Sequence, residues 1–119
     1  MANILLAEDD SSMREFLARA LRRAGHEVAA VGDGLAALET IEQQTFDLLL
    51  ADVVMPGMDG IELARRAAKE QSGIKVMFIT GFAAVALKAR DEGGRGSRVL
   101  SKPFHLKDLV EEVDMMLTA

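Results

Sequence analysis

Residues 46–60, FDLLLADVVMPGMDG, join a mostly apolar run to an aspartate and then to a turn that contains two glycines. The run from Phe46 to Ala51 predicts a buried strand, and this strand would end at Asp52. Residues 59–62, DGIE, predict the start of a helix. The stretch therefore indicates a strand–loop–helix unit with an acidic side chain where the strand ends.

The same unit recurs along the chain of 119 residues. For the first helix, Asp10 is a candidate N-terminal cap, and Ser12 with Glu15 matches a capping box. Further strands are predicted at residues 3–7, 26–31, 74–79 and 99–101, and further helices at residues 13–24, 35–41, 83–89 and 106–117. Five strands alternating with five helices predict an α/β fold with a parallel sheet covered on both faces.

Composition narrows the function classes. The net charge of −5, with basic residues interleaved with acidic ones, argues against a nucleic-acid-binding surface. The absence of cysteine excludes disulfides and thiolate metal sites and agrees with a cytoplasmic location. The apolar runs are too short to insert into a membrane. We expect one domain over residues 1–119 and no output domain.

Polar side chains follow four of the five predicted strands. Glu8 and Asp9 follow the first strand, Asp52 the third, Thr80 the fourth and Lys102 the fifth. An aspartate at a strand end more often caps a helix or forms a turn, so each residue alone is a weak signal. Because the carboxyl ends of parallel strands share one edge of the sheet, these side chains are expected to meet there.

Clustered carboxylates repel one another and require a cation. Ligation by oxygen atoms alone suits Mg²⁺ better than Zn²⁺. A hard dication beside an aspartate is the arrangement that phosphoryl transfer to that carboxylate requires. The sequence therefore indicates Mg²⁺ as a cofactor, Asp52 as a candidate phosphate acceptor, and Lys102 and Thr80 as partners of the phosphoryl oxygens.

With these motifs the chain resembles the receiver domains of bacterial two-component response regulators over essentially its full length. The resemblance rests on the acidic pair, on residues 52–60 (DVVMPGMDG), on Thr80 and on residues 102–104 (KPF). It implies a flavodoxin-like doubly wound sheet of strand order 2-1-3-4-5. It also implies a Lys102–Pro103 peptide bond that is often cis.

The resemblance assigns a role to each site residue. Asp52 would be the phospho-acceptor, Thr80 the switch hydroxyl and Lys102 the counter-ion of the phosphoryl group. Mg²⁺ would be bound by Asp9, Asp52 and the backbone carbonyl of Val54, with Glu8 helping through a water molecule. The protein would modify only itself and so would not be an enzyme.

The read-out side departs from the family pattern. Val99 stands where receivers usually carry an aromatic ring, so the usual coupling of that ring to Thr80 is absent. Gly93, Gly94 and Gly96 crowd the end of the fourth helix, which we expect to be short or irregular. Either this segment switches between order and disorder, or it is degenerate because no partner contacts it. Apolar Val54 and Phe82 would flank the path of a hydrolytic water and slow dephosphorylation.

Residues 75–87 (KVMFITGFAAVAL) and 99–106 (VLSKPFHL) are similar to the stand-alone CpdR subfamily of alphaproteobacterial regulators. That likeness implies phosphorelay from a histidine kinase or histidine phosphotransferase in cell-cycle control. It also implies that the unphosphorylated form is an adaptor for the ClpXP protease, which it would contact through ClpX.

Two other functions are compatible with parts of the pattern. A phosphate shuttle or sink would use the same acceptor without a dedicated output partner, and the sequence does not separate it from an adaptor. A hydrolase would also use an aspartate nucleophile. The hydrolase is disfavoured because Val54 stands two residues after Asp52, where an acid–base aspartate would be required.

Overall fold

The computed structural model describes residues 2–92 and 96–118. The strands are β1 (Asn3–Ala7), β2 (Glu27–Val31), β3 (Leu48–Asp52), β4 (Lys75–Thr80) and β5 (Arg98–Ser101). The helices are α1 (Ser11–Arg23), α2 (Gly34–Gln43), α3 (Gly60–Glu70), α4 (Ala83–Glu92) and α5 (Leu106–Thr118). Strands and helices alternate along the chain, as the sequence predicts.

All paired strands run parallel, in the order β2-β1-β3-β4-β5. The predicted doubly wound sheet is thereby confirmed. β3 lies at its centre, and all five residues of β3 are buried. This burial explains why the run before Asp52 is apolar on both faces rather than alternating.

Successive side chains of a strand point to opposite faces, so the sheet divides the core into two clusters. Leu49 and Ala51 pack with α2 and α3 on one face. Leu48 and Leu50 pack with α1 and α5 on the other. Leu35, in the first turn of α2, is two-thirds exposed, while Ala37 and Ile41 provide that helix's buried apolar contacts.

Of the two signals predicted for the start of α1, the Asp10 cap is confirmed and the capping box is wrong. Asp10 is the N-cap, and its carboxylate accepts a hydrogen bond from the Met13 amide at 2.9 Å. Ser12 already lies inside the helix, so the predicted capping box does not form. Glu15 pairs instead with Arg19 on the exposed surface.

Helix α4 extends three residues beyond the predicted 83–89, to Glu92, and its ten residues equal the length of α2. The predicted influence of Gly93 and Gly94 falls outside the described residues. Among the helices of residues 2–92 and 96–118, none is long and apolar enough to cross a bilayer.

Candidate functional site

The predicted polar residues meet at the carboxyl edge of the sheet. Glu8 and Asp9 directly follow β1, and Asp52 is the last residue of its neighbour β3. Thr80 is the last residue of β4, and Lys102 directly follows β5. The parallel topology therefore brings together residues that lie up to 94 positions apart in sequence.

Three carboxylates form a cluster at this edge. Glu8, Asp9 and Asp52 each offer one oxygen, and these oxygens all lie within 4.8 Å of one another. Glu8 is fully buried and Asp52 is 7% exposed, whereas Asp9 is exposed and leaves one side open to solvent. An all-oxygen set of this charge fits Mg²⁺.

Glu8 is held by contacts on three sides. Its amide donates to the Val31 carbonyl at 3.1 Å, and its carboxylate accepts the Asp10 amide at 3.3 Å and the Lys102 ammonium at 3.2 Å. Burial, followed by the negative charge of Asp52, raises the pKa of Glu8 from 4.5 to about 7. The Asp10 amide and the Lys102 charge oppose this rise.

Lys102 bridges the two buried carboxylates. Its ammonium lies 3.0 Å from an Asp52 oxygen and 3.2 Å from a Glu8 oxygen, and about a quarter of its side chain is exposed. Burial by itself lowers the pKa of Lys102, but the hydrogen bonds and negative charges of Asp52 and Glu8 outweigh it and raise that pKa. The Lys102–Pro103 peptide is cis, as the resemblance implies.

Each carboxylate oxygen of Asp52 accepts a hydrogen bond. One oxygen accepts from Lys102, and the other accepts from the Val54 amide at 3.0 Å. The structure thus brings the Val54 amide to the acceptor, while the Val54 carbonyl as a metal ligand stays a prediction. A Cβ on Gly60 would lie 2.4 Å from the Asp52 carbonyl oxygen, so glycine is required where α3 begins against the end of β3.

Thr80 connects the site to α4. Its side chain is almost fully buried, and its hydroxyl accepts a hydrogen bond from the Phe82 amide at 3.2 Å. The Phe82 carbonyl in turn accepts the Ala86 amide at 2.9 Å, in the first turn of α4. The Thr80 carbonyl accepts the Lys102 amide at 2.7 Å, so β4 also fixes the backbone of the site lysine.

Sequence reasoning missed one residue of this neighbourhood. Arg14, in the first turns of α1, donates from Nη1 to the Glu8 carbonyl oxygen at 2.9 Å. The sequence offers only a weak signal for it, a cation five residues after Asp9. Because its acceptor is a backbone atom, no pairing of side-chain types marks the contact.

Comparison with known proteins agrees with this geometry. The family model of the response regulator receiver domain matches residues 4–114. The chain is 56% identical over 119 residues to the response regulator receiver protein CpdR of Brucella abortus (strain 2308), covering 100% of this chain and 99% of that protein. It is also 37% identical to part of the sensor kinase CckA of the same organism, covering 98% of this chain but only 12% of the kinase.

Solved structures share the fold. The receiver domain of the hybrid histidine kinase CckA superposes with a TM-score of 0.83 at 38% identity, over 97% of this chain and 98% of that one. A response regulator receiver protein from Sinorhizobium medicae WSM419 superposes with a TM-score of 0.91 at 30% identity, over 98% of this chain and 94% of that one. The chain belongs to the response regulator receiver domain family.

Proposed function

We propose that this CpdR-like receiver accepts a phosphoryl group on Asp52 in a two-component phosphorelay and thereby changes its binding to a protein partner. The observation that carries the proposal is the bridge formed by Lys102 between Asp52 and Glu8, with Asp9 completing a cluster of three carboxylates. Receiver domains are signalling modules rather than typical enzymes, and the proposed chemistry modifies only this chain.

The acceptor chemistry follows from the surroundings of Asp52. A carboxylate oxygen forms a bond to phosphorus while the phosphorus–nitrogen bond of a donor phosphohistidine breaks. The leaving imidazole keeps the bonding electron pair and takes a proton from solvent, and the product is an aspartyl phosphate. Lys102, already 3.0 Å from this carboxylate, balances the negative charge that the phosphoryl group adds.

The acidic cluster would supply the metal ligands. We assign Mg²⁺ binding to the carboxylates of Asp9 and Asp52 and to the Val54 carbonyl, with Glu8 acting through a water molecule. When bound, Mg²⁺ neutralises phosphoryl oxygens and favours in-line attack. The exposure of Asp9 beside the buried Glu8 and Asp52 supports entry of the ion and the donor from one side.

Thr80 is the proposed sensor of the phosphoryl group. Its hydroxyl accepts from the Phe82 amide and still has a proton to donate to a phosphoryl oxygen. Movement of this hydroxyl toward the phosphoryl group would break its bond to Phe82, whose carbonyl begins the hydrogen bonding of α4. A changed α4 surface would then alter partner affinity.

The partners follow from the likeness to CpdR over 99% of that protein's length. We propose a histidine kinase or histidine phosphotransferase as the phosphodonor. We propose ClpX of the ClpXP protease as the output partner, bound by the unphosphorylated form in cell-cycle control. A stand-alone arrangement without an output domain and a cytoplasmic location belong to the same proposal, and a phosphate shuttle or sink is the alternative.

Phosphodonor labelling tests the acceptor. Wild type and Asp52→Asn are incubated with acetyl phosphate, with and without Mg²⁺, and intact-protein mass is measured. We expect one phosphoryl group on wild type with Mg²⁺, and none on Asp52→Asn or after chelation. Labelling that survives the substitution would contradict the assignment of Asp52, and sustained turnover of the donor beyond one equivalent at undiminished rate would favour a hydrolase.

A binding assay separates the adaptor from the shuttle. Purified ClpX is offered to the unphosphorylated protein, to the phosphorylated protein and to Asp52→Ala. We expect retention of ClpX by the unphosphorylated protein and by Asp52→Ala, and its loss upon phosphorylation. Equal retention in both states, or in neither, would contradict the phosphorylation-controlled ClpX adaptor and favour the shuttle.

A further inference from the structure

Arg14 encloses the turn that carries the acidic pair. Its guanidinium Nη1 donates to the Glu8 carbonyl oxygen at 2.9 Å, and its own amide donates to the Asp10 carbonyl oxygen at 2.8 Å. The Glu8 carbonyl belongs to the peptide group that joins Glu8 to Asp9. One residue of α1 therefore fixes both the first and the last carbonyl of the segment from Glu8 to Asp10.

Within residues 2–92 and 96–118, Arg14 provides the side-chain hydrogen bond to this peptide group. β1 ends at Ala7, so the sheet ladder no longer orients the residues that follow. The Glu8 amide still bonds to the Val31 carbonyl at the end of β2. The Glu8 carbonyl bonds to Arg14, and rotation of that carbonyl would turn the Asp9 side chain with it.

The loop after β2 leaves room for the guanidinium. A Cβ at Gly32 would lie 3.0 Å from Arg14 Nη1, closer than side-chain contacts normally come. Gly32 follows Val31, the residue that binds the Glu8 amide. The end of β2 therefore contacts Glu8 directly through Val31, and it also lies against the Arg14 guanidinium, which a Cβ at position 32 would push aside by a few tenths of an ångström.

We propose that Arg14 is a positioning residue for the acidic pair: its hydrogen bond to the Glu8 carbonyl sets the orientation of the Glu8 and Asp9 carboxylates. Its described bond is to a backbone atom, whereas Lys102 is the cation that bonds to the carboxylates of Glu8 and Asp52. The effect of Arg14 on the affinity for Mg²⁺ rests on the proposed function. The effect of Arg14 on the orientation of the metal-free turn does not.

The test compares two independent ways of perturbing this contact. Arg14→Met removes the donor, and Gly32→Ala displaces the guanidinium without removing it. Arg14→Lys retains one donor and is expected to restore part of the effect. Arg19→Met, an exposed residue of the same helix, and Gly73→Ala, where a Cβ meets nothing within 4 Å, are the matched controls.

Two readouts are measured on each variant. The dissociation constant for Mg²⁺ is obtained by titration followed through the Val54 amide resonance. We expect it to rise about tenfold in Arg14→Met and by a smaller factor in Gly32→Ala. In the metal-free protein, amide exchange at Asp10, whose N–H bonds to the Glu8 carboxylate, is expected to accelerate in the same two variants. The controls should match wild type in both.

The outcomes decide between the two claims. Wild-type Asp10 exchange in both Arg14→Met and Gly32→Ala would overturn the positioning role. Accelerated exchange with unchanged Mg²⁺ affinity would overturn its extension to the metal. If wild type bound no Mg²⁺, the proposed metal site would fail, and the Asp10 exchange rates would still decide whether Arg14 orients the turn.

Discussion

Substitution of Lys102 by methionine tests the electrostatics of the site most directly. Methionine keeps much of the apolar stem and removes the ammonium, which leaves the buried carboxylates of Asp52 and Glu8 without their shared cation. Breaking a fully buried ion pair costs about 3–5 kcal/mol, and an exposed pair contributes about 0–1 kcal/mol. Because the Lys102 side chain is about a quarter exposed, we expect a loss of roughly 2 kcal/mol in the free energy of unfolding at pH 8.

This loss converts to a measurable change in melting temperature. For a chain of this length the entropy of unfolding makes 1 kcal/mol worth about 4 °C, so Tm should fall by about 8 °C without metal. Lys107→Met is the control, because that lysine is 84% exposed and lies 4.0 Å from its acidic partner. Its Tm should stay close to that of wild type.

The size of the loss should depend on pH. The pKa of Glu8, about 7, exceeds its ordinary 4.5, so the folded protein binds more protons than the unfolded chain between these values. Glu8 therefore lowers stability as pH rises from about 4.5 to 7. Without Lys102 the Glu8 carboxylate is still harder to ionise, so this decline extends above pH 7. The gap between wild type and Lys102→Met should thus widen from pH 6 to pH 8.

Mg²⁺ should reduce the difference in Tm between wild type and Lys102→Met. Mg²⁺ binds the folded protein and supplies positive charge to the carboxylates, so saturating Mg²⁺ should recover more than half of the lost Tm. Thermal unfolding of wild type and Lys102→Met is followed by circular dichroism at pH 6 and pH 8, with and without Mg²⁺. These measurements give the difference in Tm under all four conditions. A variant within 1 °C of wild type at pH 8 without metal, or a gap that Mg²⁺ does not reduce, would refute this reasoning.

Three further substitutions test the acceptor, the switch and the fold around them. Phe82→Ala should speed hydrolysis of the aspartyl phosphate several-fold, because this side chain, 61% exposed, would flank the path of a hydrolytic water and its removal would open that path. Equal or slower decay in the variant would contradict the shielding role of Phe82. Thr80→Ala should still be labelled on Asp52 but lose the phosphorylation-dependent change in α4 amide exchange, and a retained change would exclude the hydroxyl as sensor. Gly60→Ala should cost about 2 kcal/mol or more in urea unfolding, because its Cβ would meet backbone at 2.4 Å, whereas Gly73→Ala should not.

The fold could be predicted because its signals are local. Strands buried on both faces are continuous apolar runs, and β1 matches the predicted bounds of residues 3–7. Asp10 was identified as a cap from its position before the helical spacing begins. The capping box was wrong because Ser12 and Glu15 fit the spacing of that motif two residues too late, and a motif match does not say which of two polar residues begins the helix.

The composition of the site could be predicted, but part of its support could not. Glu8, Asp9, Asp52, Thr80 and Lys102 converge because parallel strands end at one edge, a rule that needs only the order of elements. Support from Arg14 depends on a bond between a side chain and a backbone carbonyl, and on the missing Cβ of Gly32. Neither contact has a periodic or compositional signature.

The response of α4 depends on how firmly that helix is attached. Among the α4 side chains that are described, Ala86 and Ala89 are buried and Val85 is partly buried against the core, whereas α3 buries the larger Ile61 and Leu63. At about 0.8 kcal/mol for each buried methyl-sized group, the two alanines contribute roughly 1–2 kcal/mol.

One hydrogen bond contributes about 1 kcal/mol, which is comparable with the contribution of these two alanines. We therefore expect loss of the bond between Thr80 and the Phe82 amide to lower the population of docked α4 without rearranging the sheet. Val99, half-buried beneath this region, adds no aromatic ring to resist the change. We accordingly expect phosphorylation to alter the order of α4 rather than the rotamer of a ring on β5.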